Sequence, residues 1–261
     1  MRYIADHDFH IHSTISPCCH DPLQTPEAIY EYAKRNNYKK ICLTNHLWDT
    51  DVKSVAEWHE KQRFECLKTA LPLPNDSDVK FCFGAETDMD LNYVIGISKE
   101  KFDLFDFIVV PTTHLHLSGY TIEHGIDTIQ GRTDAWIKRF DELLKKDLPF
   151  HKMGIAHLTC GHIYGDKTVD VIRNIPDDDL YNLFERSAEK GLGIELNISS
   201  LNMTDEVRQI IFRPYHIAKD CGCKFYLGSD SHKVSAMDKA KENFENIITI
   251  LDLKESDKFD F

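Results

Sequence analysis

The chain has 261 residues, 42% hydrophobic and 28% charged, the profile of a globular protein long enough for one large core. No run approaches the roughly 20 apolar residues of a membrane span, and Met1-Arg2-Tyr3-Ile4-Ala5-Asp6 is not a signal-like opening, so a cytoplasmic protein with no membrane partner is expected. A net charge of −12 argues against an extended nucleic acid as partner, because phosphate backbones are held by clustered Lys and Arg.

Taken in chain order, a first strand is expected over residues 2–12 and a helix over 26–36, where Thr25 can cap, Pro26 takes the first helical position and Glu27 follows in the first turn. Strands follow over 40–46, 79–86 and 105–113, a helix over 134–146, and a strand over 153–157. A helix over 178–190, a strand over 192–197, a helix over 206–219, a strand over 223–230 and a helix over 236–251 complete the pattern. Residues 49–75 read as helical, 87–100 as a hairpin at the barrel mouth, and 252–261 as a polar tail. Strands alternating with helices imply a parallel sheet, and about seven repeats in this length favour a closed or nearly closed β/α barrel over a doubly wound sheet. No repeat or linker divides the chain, so a single domain over 1–261 is expected.

Fourteen histidines are about twice an ordinary share, and their placement is the chemical signal. The opening strand reads Asp6-His7-Asp8-Phe9-His10-Ile11-His12-Ser13. Residues two apart share a face, so Asp8, His10 and His12 are expected to point the same way. A polar face buried without compensation is costly, and a metal ion offsets that cost. Ile41-Cys42-Leu43 leads into Thr44-Asn45-His46, Phe81 to Ala85 into Glu86, and Ile108 to Thr113 into His114. Met153 to Ala156 ends at His157, and Phe225 to Ser229 ends at Asp230-Ser231-His232.

In a parallel barrel all these strand ends share one rim, where such folds place their sites. Any one of them reads as an ordinary hydrogen-bonded rim residue; six strands delivering His, Glu or Asp together read as a metal centre. Nitrogen and oxygen donors suit zinc, manganese or iron. One ion takes roughly three to five protein ligands, so about nine candidates imply two or three divalent ions. The eight cysteines include no C-x-x-C pair and read as reduced thiols. Cys18, Cys19 and Cys160, beside these candidates, have the chemistry to bind a soft ion, but packing next to the site is the favoured reading.

Asp8-Phe9-His10-Ile11-His12-Ser13, His20, Leu43-Thr44-Asn45-His46, Gly84-Ala85-Glu86, His114, His157, Gly193-Ile194-Glu195-Leu196-Asn197 and Gly228-Ser229-Asp230-Ser231-His232 recur over nearly the whole chain. In this set the chain resembles the polymerase-and-histidinol-phosphatase (PHP) superfamily, especially its short free-standing phosphatases. The resemblance implies a distorted TIM-like barrel of seven β/α units with a trinuclear metal centre. It gives His10, His12, Glu86 and Asp230 to a first ion, with Glu86 bridging to a second held by His114 and His157. His20, His46 and His232 would hold a third. His116 is the alternative to His114, and Asn45 stands where the resemblance would put an acid. Glu86, Asp230 and His232 are assigned to catalysis as well.

Divalent ions generate hydroxide at neutral pH and neutralise phosphoryl oxygens under attack. The expected function is therefore hydrolysis of a small phosphomonoester, with histidinol phosphate suggested by the resemblance. A phosphodiesterase or exonuclease on short oligonucleotides, and a non-catalytic metal-binding accessory module, are the alternatives. His7, His59, His124, His151, His162 and His216 are left as surface or structural residues, with His162 the one near enough to His157 to reach substrate.

Overall fold

The computed structural model describes residues 1–55, 61–76, 78–198 and 201–261. Seven strands, β1 (His7–Ile11), β2 (Lys40–Leu43), β3 (Lys80–Glu86), β4 (Phe107–Val110), β5 (Met153–Ile155), β6 (Gly193–Leu196) and β7 (Lys224–Leu227), pair in sequence order and all in parallel. The sheet curls into a distorted TIM-like barrel, with helices on its outer face as parallel strands require.

The barrel closes between β7 and β1 partly through side chains. The Leu227 N–H donates to His7 Nε2 at 3.1 Å and the Ser229 N–H to Asp8 Oδ1 at 3.0 Å. Farther along, the Asp230 N–H donates to the His10 carbonyl at 2.7 Å and the His12 N–H to the Ser231 carbonyl at 3.0 Å. The last strand is thereby docked with Asp230 beside the two histidines.

Helix α1 (Pro26–Arg35) begins as its sequence dictates: Thr25 accepts from the Ala28 N–H, Pro26 needs no donor partner, and Glu27 faces the positive end of the dipole. Next come α2 (Phe64–Leu67), α3 (Ile129–Leu144), α4 (Thr168–Asn174), α5 (Asp177–Lys190), α6 (Asp205–Asp220), α7 (Val234–Met237) and α8 (Ala240–Ile250). Three acids open α5, and Gly191 at φ 72° closes it in the left-handed conformation.

Four local expectations are corrected. The helix expected over 236–251 is split into α7 and α8. Among the described residues, 49–75 carry the short α2, 3-10 residues at 61–62 before it and a 3-10 turn, Lys68–Ala70, after it, while 56–60 lie outside the described residues. Residues 87–100 contribute a lone antiparallel bridge, Met89 to Ile95.

The segment 252–261 is not a polar tail. Its Phe259 N–H bonds the Phe225 carbonyl at 2.8 Å, and the Phe259 and Phe261 rings pack against Phe107, Phe261 stacking on it at 4.7 Å. Alternation of Phe259 and Phe261 with charged neighbours disguises a strand-like plug. These rings join a small inner core of Phe9, Cys42, Cys82, Phe107, Val109, Ala156 and Tyr226, separate from the larger core between strands and helices. Gly154 leaves the room that Tyr226 fills, since a Cβ there would collide with its ring. Among the described residues no helix is long and apolar enough to cross a membrane.

Candidate metal centre

A β-bulge in β1 sets the site. Asp8 pairs with Ile41 and Ile11 with Leu43, so three steps on β1 oppose two on β2. Strict alternation is broken between them, and the expected shared face of Asp8, His10 and His12 does not form. Phe9 enters the inner core, while Asp8 turns toward α1, where the Tyr32 hydroxyl donates to it at 3.3 Å. His10 and His12 face the mouth, the re-aiming that bulges perform beside functional sites.

There the His10 and His12 Nε2 atoms lie 3.1 Å apart. Asp230 Oδ1 lies 3.4 Å from His10 Nε2 and 3.2 Å from His12 Nε2. Glu86, the last residue of β3, brings Oε2 to 3.6 Å and 3.2 Å from the same atoms. Four donors bound tetrahedrally at 2.0–2.2 Å would be spaced roughly 3.3–3.6 Å apart, close to what these side chains adopt.

A second group joins Glu86, His114 and His157. Glu86 Oε1 is 3.6 Å from His157 Nε2 and 4.0 Å from His114 Nε2. Glu86 Oε1 and His157 Nε2 are both buried without a hydrogen-bond partner among the described residues. Such atoms are expensive to bury, and a shared cation satisfies both, so the donor set fits a divalent metal.

A third group comprises His12, Cys18, His46 and His232. His46 Nδ1 lies 2.9 Å from Glu86 Oε2 and His232 Nε2 lies 3.0 Å from Cys18 Sγ. His20, expected in this group, is exposed and outside all three. Cys19 accounts for this: its N–H bonds the Ser16 carbonyl and its buried thiol donates to the His232 carbonyl at 3.1 Å. That anchor leaves Cys18 on the cavity side and carries His20 outward.

The histidine rings are aimed by their other nitrogen. Nδ1 of His10 meets Glu195 Oε1 at 2.6 Å, His12 meets Ser16 Oγ at 2.9 Å, His114 meets Asp88 Oδ1 at 2.8 Å, and His157 meets Thr113 Oγ1 at 2.8 Å. His232 Nδ1–H donates to the Asp230 carbonyl at 2.8 Å. Nε2 is thus left to the centre in all five, the arrangement by which outer partners orient metal-binding imidazoles. Asn45, in place of an acid, accepts from the Ser13 N–H at 2.8 Å and the Ser16 hydroxyl at 2.9 Å, so it braces the residue that aims His12.

In the sequence Glu195 stands out only as part of the Gly193-Ile194-Glu195-Leu196-Asn197 motif. It touches His10 and also accepts the His157 N–H at 2.7 Å. The signal was available: Glu195 is the one acid in the apolar strand β6, fully buried. Gly228 is required beside it, because a Cβ there would strike Glu195 Oε1 and His10. His157 and Asp230 adopt positive φ, 32° and 51°, a conformation uncommon outside glycine and concentrated at functional sites.

Electrostatics follow from this crowding. Burial opposes protonation of His10, but Glu195, Asp230 and Glu86 together hold its pKa well above the ordinary value. Burial would raise the Glu86 carboxyl, yet His46 and His10 hold it well below the carboxylate range. His12 is pushed down to about 4 by burial and by His232.

Above the centre opens a cavity of about 430 Å³, lined in part by Glu86, Asp230, His232, Lys61, His116 and His162, a size suited to a small molecule. His116 faces His162 across 4.3 Å between ring centroids and belongs to none of the three groups, whereas His114 belongs to the second. His7 lies in the β1–β7 seam, and His59 lies outside the described residues.

A distorted seven-stranded β/α barrel with a candidate metal centre at its C-terminal mouth is the class that fold and site define. No protein-family model matches the sequence, and no curated protein matches it. Among solved structures the chain is similar to the histidinol phosphate phosphatase HisK of Lactococcus lactis subsp. lactis Il1403, determined with zinc, L-histidinol and phosphate, at TM-score 0.61 and 16% identity over 98% of this chain and 99% of that one. It is also similar to the putative histidinol phosphatase HisK of Listeria monocytogenes, at TM-score 0.60 and 15% identity over 91% of this chain and 99% of that one. Likeness at this identity establishes the shared fold.

Proposed function

We propose that the chain is a metal-dependent phosphatase that hydrolyses a small phosphomonoester, histidinol phosphate being the first candidate. The observation that carries this reading is the Glu86 carboxylate, whose two oxygens face separate groups of histidines while Oε1 has no other partner among the described residues. Two or three divalent ions, zinc, manganese or iron, fit the donors: His10, His12, Glu86 and Asp230 for the first, Glu86, His114 and His157 for the second, and His46 with His232 for a third. The zinc, L-histidinol and phosphate found in the Lactococcus structure support the same substrate class.

When bound, such ions supply an activated water and positive charge for a phosphoryl group. The chain's own residues do the rest. Glu195, Ser16, Asp88 and Thr113 hold the imidazoles in one tautomer and orientation. Glu86, Asp230 and His232 border the cavity where a phosphate would sit, which suits their assignment to catalysis. Lys61, on the cavity wall, offers a cation to a substrate oxygen.

The test is turnover by purified protein loaded separately with zinc, manganese or iron, against a chromogenic phosphomonoester, histidinol phosphate, a dinucleotide and a panel of amides and lactones. Hydrolysis of the monoesters is expected. Protein that is inert toward every phosphoester yet cleaves amides or lactones overturns the reading.

A further inference from the structure

We propose that Cys18 supplies a thiolate to the third ion, in the position that sequence resemblance gives to His20, making this site a mixed nitrogen and sulfur site selective for a thiophilic ion. The inference rests on the metal-centre reading above. Its geometry is specific to the atom contacted. Cys18 Sγ lies 3.0 Å from Nε2 of His232, the ring nitrogen that points into the centre, because Nδ1 is occupied by the Asp230 carbonyl. The donor atoms of Cys18, His12, His46 and His232 all lie within 4.8 Å of one another.

The neighbouring thiols separate packing from ligation. Cys19 is buried and bound to a backbone carbonyl, and it serves as the anchor of the loop. Cys160 lies 3.4 Å from Nδ1 of His157, the nitrogen turned away from the centre. Cys18 alone of these three is exposed at the cavity wall with its sulfur among inward-facing imidazoles. Packing does not explain an exposed thiol in that place. His20, two residues on, is also exposed but lies outside all three donor groups.

A thiolate changes which ion the site holds. Sulfur donors favour zinc and cobalt over manganese, whereas the oxygen-rich first group, with Glu86 and Asp230, accepts harder ions. Binding replaces the S–H proton by the ion, and the proton leaves to solvent. The centre would then be chemically asymmetric, with one thiophilic position beside two nitrogen and oxygen positions.

Cobalt(II) reports the ligand directly, because thiolate ligation produces a near-ultraviolet charge-transfer absorption that nitrogen and oxygen ligands do not. Reduced full-length protein loaded with cobalt is expected to show this band. It should vanish in Cys18→Ser together with close to one equivalent of bound ion, and persist in Cys19→Ser, Cys160→Ser and His20→Ala with full ion content. Cys18→His should regain the equivalent without the band, which separates lost ligation from lost folding. A band that survives Cys18→Ser, or an ion lost in His20→Ala, overturns the proposal. Full cobalt uptake without any band overturns it while leaving the metal centre standing; protein that takes up no divalent ion overturns both.

Discussion

Glu86 Oε1 and His157 Nε2 face each other at 3.6 Å, both buried and neither hydrogen-bonded among the described residues. The other oxygen of Glu86 lies 2.9 Å from His46, so one carboxylate spans two groups of imidazoles. A bridging carboxylate offsets repulsion between adjacent cations, and its removal affects every ion it touches. Glu86→Ala is therefore expected to lower bound metal by more than one equivalent and abolish turnover. His46→Ala should remove at most one ion and leave the Glu86 pair. Elemental analysis of both variants after identical loading decides: equal losses, or a Glu86 variant that keeps every ion, would show that the carboxylate does not bridge.

Ion binding should release protons at neutral pH. Burial opposes protonation of His10, His46, His157 and His232, but nearby carboxylates and thiols hold all four above the ordinary histidine value in the ion-free chain. Below those raised values each ring carries a proton that an ion must displace, so apparent ion affinity falls as pH falls through them and on through the ordinary histidine range. Titrating metal into ion-free protein at pH 7 in buffers of different ionisation enthalpy measures the release. Uptake with no proton released, or ion content unchanged at pH 5, contradicts a histidine-built centre.

Much of this was legible in the residues. All seven strands lie within their expected ranges, because six apolar runs end in His, Glu or Asp that reach the rim and the seventh, Gly193–Leu196, is a short apolar run between two helical stretches. Helix α1 followed from Thr25, Pro26 and Glu27. What was hidden is the effect of one extra residue: period two cannot reveal the bulge that separates Asp8 from His10. Choice among neighbours was hidden too: Cys18 reads as a packing group and His20 as a ligand, and only the Cys19 anchor decides which side each takes. Phe259 and Phe261 were masked by the charges around them, and their partners lie far away in sequence.

Glu195 offers a sharper test of positioning than any ligand. It accepts from His10 Nδ1 and from the His157 backbone, so it fixes one ligand's ring and another's strained backbone together. Glu195→Gln keeps the size and one acceptor but removes the charge that favours the His10 tautomer. Loss of such a partner costs about 10- to 100-fold in metal affinity or activity. The expected outcome is a drop of that order in affinity for the most weakly held ion, with kcat lowered at saturating metal and the circular dichroism spectrum unchanged. Unaltered metal affinity would reduce Glu195 to a packing role.

The opposite end of the barrel should tune stability without touching the site. Phe259 is 5% exposed, and its ring packs on Phe107 and Tyr226 at the floor formed by the strand beginnings, while the candidate ligands lie in the last two residues of their strands or beyond them. Truncating a buried Phe to Ala costs about 3–5 kcal/mol through lost burial and the cavity left behind. Phe259 belongs to the smaller of the two cores, so Phe259→Ala is expected near the lower bound, about 3 kcal/mol. Urea unfolding monitored by circular dichroism measures the loss, and metal content with kcat at a temperature where both proteins are folded measures the separation. A stability change under about 1 kcal/mol would mean that the segment only rests on the barrel and does not seal it. Loss of metal with stability intact would mean that floor and rim are coupled through the inner core, and that Phe107 and Tyr226 transmit strain to the strand ends.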